Sequence, residues 1–244
     1  MPNAVVVGGG SGIGAAIAGA YRSREVNPLV WDIAGTRDID CDITDEVSVR
    51  DALDETIDRV GMPDQVTITA GVGRSGVLLD EPVEAWDSVM AVNARGPWLV
   101  MRALARAMID AGMPGSIVAT SSVSARLVDR GMGLYCASKA ALSMIVKVAA
   151  CEWAPHGIRV NAVGPGVTET PMLGRAPTDR GWLQSVKGRT PLGRLGQPGD
   201  IAEVALALHD LAWVTGQVVE CDGGLGLHSP IDAFGEAQRA REGG

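Results

Sequence analysis

The chain is poor in aromatic residues: one Phe, two Tyr and six Trp among 244 residues. It has no surplus of positive charge either, with 21 Lys and Arg against 29 Asp and Glu and a formal net charge of −8. That balance argues against nucleic acid or an anionic membrane surface as a partner, because both attract cations. The four cysteines, Cys41, Cys136, Cys151 and Cys221, lack CxxC spacing, so neither a metal site nor a disulfide framework is expected. No uninterrupted apolar run reaches the roughly 18 residues from which a transmembrane helix is read. The N-terminal "MPNAVVVGGG" carries no basic leader or long apolar stretch, so no secretory signal is expected and a cytoplasmic setting is.

Glycine is plentiful, at 32 residues, beside 46% hydrophobic and 20% charged residues. This is a soluble globular composition in which glycine serves turns and close backbone approaches. The length suits one domain, 1–244, with a substantial core.

Short apolar runs alternate with helical segments. "AVVV" (4–7), "PLVWD" (28–32), "QVTITAG", "GSIVATSS", "IRVNAVGPG" and "GQVVECDGG" read as strands. Helical patterns lie between them, including 44–60 with Thr44 as N-cap, 84–111, the segment after Leu134, and "GDIAEVALALHDL". This alternation predicts an α/β fold: a doubly wound parallel sheet of about seven strands with helices on both faces. The connection from Asp32 to "DCDIT" is too short for a crossover of roughly 10–12 residues, so "IAGTRDI" is expected to be a loop beside a thinly covered sheet edge. The final "GEAQRAREGG" reads as weakly ordered or partner-dependent.

Three constellations carry chemistry. In "VVVGGGSGIGAAIAG" a glycine cluster joins a strand to a helix, where backbone amides can approach a pyrophosphate at the positive helix end. Two registers fit: Gly10, Gly12 and Ala15 as GxGxxA, or Gly8, Gly12 and Gly14 as GxxxGxG; both predict a dinucleotide. Asp32 ends the second strand, 18 residues after Gly14. A carboxylate there accepts from ribose hydroxyls and repels a 2′-phosphate, so NAD is expected, with NADP less favoured and Arg37 the nearest cation able to reverse the preference. Finally, "YCASK" sets Tyr135 and Lys139 on one helix face, with Ser121 and Ser122 at the carboxyl end of a strand. A lysine within ~4–6 Å, joined by a cationic nicotinamide ring, is expected to lower the phenol from its usual pKa of about 10. Tyr135 could then exchange a proton with a carbonyl oxygen that Ser122 polarises.

On these motifs the chain resembles the short-chain dehydrogenase/reductase family, in its single-domain branch of about 250 residues. "TAG" at 69–71, "VNARGPW", "SS…YCASKAAL", "IRVNAVGPGVTETPM", "PLGRLGQPGDIA" and "TGQVVECDGG" recur in the family's order, and Ser122 to Tyr135 spans its interval of 13 residues. The resemblance implies a Rossmann-type sheet and a catalytic set of Asn93, Ser122, Tyr135 and Lys139. Asn93 would offer its backbone carbonyl to a water linked to Lys139. The resemblance also implies cofactor contacts at Gly8, Gly10, Ser11, Gly12, Ile13, Gly14, Asp32, Ile33, Asp42, Ile43, Ala70, Gly71, Tyr135, Lys139, Pro165, Gly166, Thr168 and Thr170, and no metal. Two positions depart from the pattern: Val7 replaces a usual threonine and Thr69 a frequent asparagine, so altered turn hydrogen bonds with retained cofactor binding are expected.

The segment 166–195 is long for a plain connection and suits a lid. Its Met172, Leu173 and Trp182, with Ser124, are the candidate substrate residues and point to a mainly hydrophobic small-molecule alcohol or ketone. Arg126, Arg175 and Arg180 could instead meet a carboxylate or phosphopantetheine. The reading that results is an NAD(H)-dependent oxidoreductase of secondary alcohols and ketones. Its alternatives are an NADPH-dependent 3-oxoacyl-carrier-protein reductase and a non-catalytic NAD-binding sensor. Helices at 93–111 and 134–153, apolar all round, together with the resemblance, imply a homotetramer.

Overall fold

The structure, a computed structural model, describes residues 2–173 and 180–227. The final "GEAQRAREGG" and Arg175 lie outside the described residues, as does the side chain of Arg180. Seven parallel strands form one sheet in the order β3-β2-β1-β4-β5-β6-β7. They are β1 Ala4–Val7, β2 Leu29–Asp32, β3 Ile39–Asp40, β4 Gln65–Ile68, β5 Gly115–Thr120, β6 Ile158–Pro165 and β7 Val218–Cys221. Helices α1 Gly12–Ser23 and α7 Pro198–Asp210 cover one face. Helices α2 Glu46–Val60, α4 Gly96–Asp110 and α5 Gly133–Trp153 cover the other. The strand order reverses between β1 and β4, which opens a crevice at their carboxyl ends.

The cores explain the strand sequences. Val5 and Val7 of β1 pack with Trp31, Val66 and Leu104 on one face, while Ala4 and Val6 pack with Ile17, Tyr21 and Leu206 on the other. A strand buried on both faces needs an unbroken apolar run, which "AVVV" supplies. The stretch Gly133–His156 is long and apolar enough by composition to cross a membrane, but Leu142, Val146 and Ala149 are buried in the sheet core.

Four details differ from the sequence reading. Helix α2 is capped by Asp45, whose carboxylate accepts from the Val47 amide, whereas the Thr44 hydroxyl donates to Asp42 Oδ1. The loop after Asp32 ends in the two-residue strand β3, with Trp31 opposite Ile39 and Asp32 opposite Asp40. The helix read over 84–111 is α3 Val83–Met90, a π turn Ala91–Arg95, and α4. Part of the segment read as a lid forms helix α6, Arg180–Arg189.

One polar cluster lies within the core. His209 of α7 is hydrogen-bonded through Nε2 to Thr67 Oγ1 at 2.9 Å and through Nδ1 to Ser116 Oγ at 2.9 Å. Burial, reinforced by the charges of Arg159 and Arg24, pushes this imidazole down to about 3, so it is neutral. Arg159 donates to the carbonyls of Leu208, His209 and Val214, which satisfies the end of α7.

Candidate active site

The turn after β1 is built so that only glycine fits. Gly8 has φ +80, and a β-carbon added there would lie 2.4 Å from the Ala70 amide nitrogen. The same atom at Gly14 would lie 2.2 Å from the Gly8 carbonyl oxygen, and at Gly10 2.3 Å from the Ala34 carbonyl oxygen. Gly12, the first residue of α1, has φ +52. Gly8 and Gly14 are required by contact and Gly12 by its positive φ, as the GxxxGxG register asks, while Gly9 is crowded by Val30 and Gly10 by the Asp32 loop. Ser11 takes the N-cap place of α1 in extended backbone, without a side-chain hydrogen bond to the helix, and Ile13 packs against the core. The turn leads directly from β1 into the N-terminus of α1, whose first amides and positive dipole end fit a pyrophosphate.

Thr69 accounts for the two departures at this turn. Its hydroxyl lies 2.9 Å from the Val7 carbonyl oxygen and 3.0 Å from that of Gly8, and donates to them. Val7 is buried in the core and offers no polar side chain. The tie between β4 and the glycine turn thus comes from position 69, a role that the sequence hinted at only as an anomaly.

Asp32 stands at the mouth of this turn. Its Oδ2 accepts from the Gly10 amide at 2.8 Å, and its Oδ1 from the amides of Ile33 at 2.7 Å and Ala34 at 3.1 Å. Arg37 is committed elsewhere, to the Asp40 carboxylate and the Gly35 carbonyl. Asp42 Oδ1 accepts from the amide and hydroxyl of Thr44, so Asp42 presents a fixed carboxylate. Ile43 is buried with its side chain against Gly96 and leaves only backbone to a ligand, whereas Ile33 is exposed beside Asp32.

The catalytic candidates come together at the carboxyl ends of β4 and β5. Lys139, 3% exposed, donates from Nζ to the Thr120 carbonyl at 2.9 Å and lies 5.8 Å from the Tyr135 ring centroid. Gly71 opens onto the same ammonium, since a β-carbon there would lie 3.4 Å from Nζ. Asn93 sits in the π turn, fully buried. Its Oδ1 accepts from the Val72 amide, and its Nδ2 donates to the Val72 carbonyl and to Ser138 Oγ. The Ser138 hydroxyl in turn donates to the Tyr135 carbonyl at 2.7 Å, tying Asn93 to the helix that bears the tyrosine.

The electrostatics run against the simplest expectation. Burial pushes the Tyr135 phenol above its usual value, and the hydrogen bond with Ser122 pulls it back in part. Burial pushes Lys139 itself down to about 8, and its ammonium is turned onto the Thr120 carbonyl.

The cofactor and substrate sides are completed by the loop after β6. Gly166 donates its amide to the Cys221 carbonyl at 3.0 Å, and Thr168 donates its hydroxyl to the Gly166 carbonyl at 3.0 Å. Thr170 lies over the glycine turn, 3.5 Å from a β-carbon placed on Gly12, so residues 158 positions apart face one another. Pro165 ends β6 opposite Cys221. Met172 packs near Gly73, Leu173 is half-buried with its amide on the Thr170 carbonyl, and Trp182 is on α6, 40% exposed. Ser124 is buried beside Ser122 and donates its amide to Ser122 Oγ at 3.1 Å. Arg126 does not stand free for an anion: it grips Glu220 through two nitrogens at 2.7 Å and donates to the Gly226 carbonyl. Among the described residues no group of His, Cys, Asp and Glu could hold a metal ion, and the four cysteines are free.

Comparison with known proteins accords with this geometry. Residues 9–226 match the family described as Enoyl-(Acyl carrier protein) reductase. The chain is 33% identical to the (3R)-3-hydroxyacyl-CoA dehydrogenase of Canis lupus familiaris, over 91% of this chain and 95% of the relative. It is 34% identical to the 3-oxoacyl-[acyl-carrier-protein] reductase FabG of Thermotoga maritima, over 91% and 96% respectively. Its fold superposes on the ligand-free aldohexose dehydrogenase of Thermoplasma acidophilum with a TM-score of 0.87 at 26% identity, covering 95% of this chain and 96% of the other. The chain belongs to the short-chain dehydrogenase/reductase family. It is an oxidoreductase of the kind that uses a nicotinamide cofactor and a small-molecule substrate.

Proposed function

We propose that the protein is an NAD(H)-dependent dehydrogenase that interconverts a secondary alcohol and a ketone, with Tyr135 as general acid and base. The reading rests above all on one arrangement: a buried phenol bonded to Ser122, with the Lys139 ammonium on the same helix face. Ser122 would position the substrate oxygen. Lys139 would bind the nicotinamide ribose, and Asn93 would hold the distorted helix turn that faces it. The glycine turn, Asp42, Ile43, Ala70 and Gly71 would hold the adenosine and pyrophosphate, and the loop from Pro165 to Thr170 the nicotinamide end. When bound, the nicotinamide would supply or accept the hydride and, when oxidised, a positive charge beside the phenol.

NAD over NADP is supported by Asp32, a carboxylate fixed by three amides at the ribose position, and by the engagement of Arg37 with Asp40. A second reading, an NADPH-dependent 3-oxoacyl-carrier-protein reductase, is favoured by the similarity to the Thermotoga maritima enzyme. Titration of wild type and Asp32→Ala with both cofactors separates the two. We expect NAD binding to weaken about tenfold and discrimination against NADP to relax, as loss of roughly 1.4 kcal/mol of contacts implies. Unchanged preference would refute the assignment. The segment 166–195 is proposed as the substrate cover of a single cytoplasmic domain. Exposed Trp98, Met144 and Val148 on α4 and α5 support a homotetramer, which a monomer in light scattering would contradict.

A further inference from the structure

Ser122 does not stand alone on its loop. Its Oγ accepts from the Ser124 amide at 3.1 Å, and the Ser124 hydroxyl donates to Asp129 Oδ2. An oxygen that already accepts a hydrogen bond from the backbone is left with its own proton to give, so the Ser124 amide turns Ser122 toward donation. Asp129 in turn holds Ser124 from a turn closed by the Met132 amide on the Asp129 carbonyl, and that turn is tied to the loop after β4 by the Gly76 amide on the Gly131 carbonyl. No Lys or Arg lies within ion-pair distance of Asp129 among the described residues.

We propose that Asp129 is a positioning residue of this site: through Ser124 it fixes Ser122 as a hydrogen-bond donor, and its uncompensated carboxylate makes the site prefer neutral carbonyl compounds over those with an acidic group beside the carbonyl. The inference deepens the dehydrogenase reading and rests on it for the substrate preference, but not for the positioning. Asp129 acts on the Tyr135 phenol as a negative charge that raises it. Arg126 is paired with Glu220 on β7, Arg74 with Glu81 on the loop after β4, and Lys139 is directed to the Thr120 carbonyl. On α5, Cys136 is the other group that acts on Tyr135, and like Asp129 it disfavours the phenolate.

The sequence permits a test that needs no substrate. The chain has two tyrosines, and burial pushes Tyr21 far above the ordinary range, so phenolate absorbance in the folded protein reports Tyr135. Asp129→Asn keeps an acceptor for Ser124 and removes the charge. We expect its titration midpoint to fall relative to wild type, with Tyr135→Phe abolishing the signal. An unmoved midpoint, or both phenols ionising together near the ordinary value in wild type, overturns the proposal. In turnover with NAD, the ratio of kcat/KM for 3-hydroxybutyrate to that for cyclohexanol should rise about tenfold in Asp129→Asn, since one like charge has been removed. An unchanged ratio removes the substrate preference. Asp129→Ala should lower kcat further with KM less affected, and Asn should rescue it. If wild type oxidises no alcohol yet the midpoint of Asp129→Ala lies above that of Asp129→Asn, as loss of the Ser122 hydrogen bond implies, the dehydrogenase reading falls and the positioning role stands.

Discussion

Lys139 on α5 and His209 on α7 are both buried bases packed against the same parallel sheet, and they are treated in opposite ways. His209 has a hydroxyl on each ring nitrogen, Thr67 and Ser116, and burial drives it to about 3, so it is a neutral and fully bonded part of the core. Lys139 has three protons to donate and one carbonyl partner among the described hydrogen bonds, that of Thr120, with Gly71 packed close beside it. Burial brings it only to about 8, within reach of a neighbour's charge. Burial alone therefore does not distinguish a structural base from a working one. Unused hydrogen-bonding capacity at the carboxyl end of the sheet does.

The comparison can be broken most directly at Lys139. Lys139→Met should lower turnover by about a hundredfold or more if the ammonium holds cofactor and tunes Tyr135, the scale of positioned acid–base groups. Turnover within about threefold of wild type would place Lys139 with His209 as mere structure.

The next effect belongs to His209 and is read in stability. Its pKa is lower folded than unfolded, so between about 6.5 and 3 the unfolded chain binds the extra proton. Stability is then lost as pH falls through that window, by roughly 3 kcal/mol at pH 4, and urea midpoints of His209→Gln should show a flatter acid limb. Equal slopes would mean that the imidazole is charged in the fold. Lys139 has the same sign in another window. Its folded value of about 8 lies below the usual 10.5, so wild type should gain about 2 kcal/mol relative to Lys139→Met as pH rises from 8 to 10.5. The smallest effect is expected at Ser116→Ala, which leaves His209 Nδ1 unpaired and should cost about 1–2 kcal/mol in the same urea assay.

Much of this was legible from local pattern. "AVVV" reads as a strand because both faces of β1 are buried. What was not legible depended on partners distant in sequence. Two residues, Ile39 and Asp40, have no periodicity to read as β3, and Asp45 competes with Thr44 for a cap on geometry alone. Thr69 reaches carbonyls 61 and 62 positions away, and Ser124 looks like a loop serine until Asp129 folds back onto it. The raised phenol of Tyr135 was not legible because spacing gives the distance to Lys139 but says nothing of how deeply both are buried.

The wide turn at Ala91–Arg95 also makes the α3–α4 rod a counted length. Loss of one residue there would tighten the turn to regular winding and remove the width in which Asn93 sits. Asn93 would swing off Val72 and Ser138, and α3 would lose its seat on α5 or α4 its seat on α2. Side-chain exchange in this stretch should accordingly be tolerated far better than any insertion or deletion.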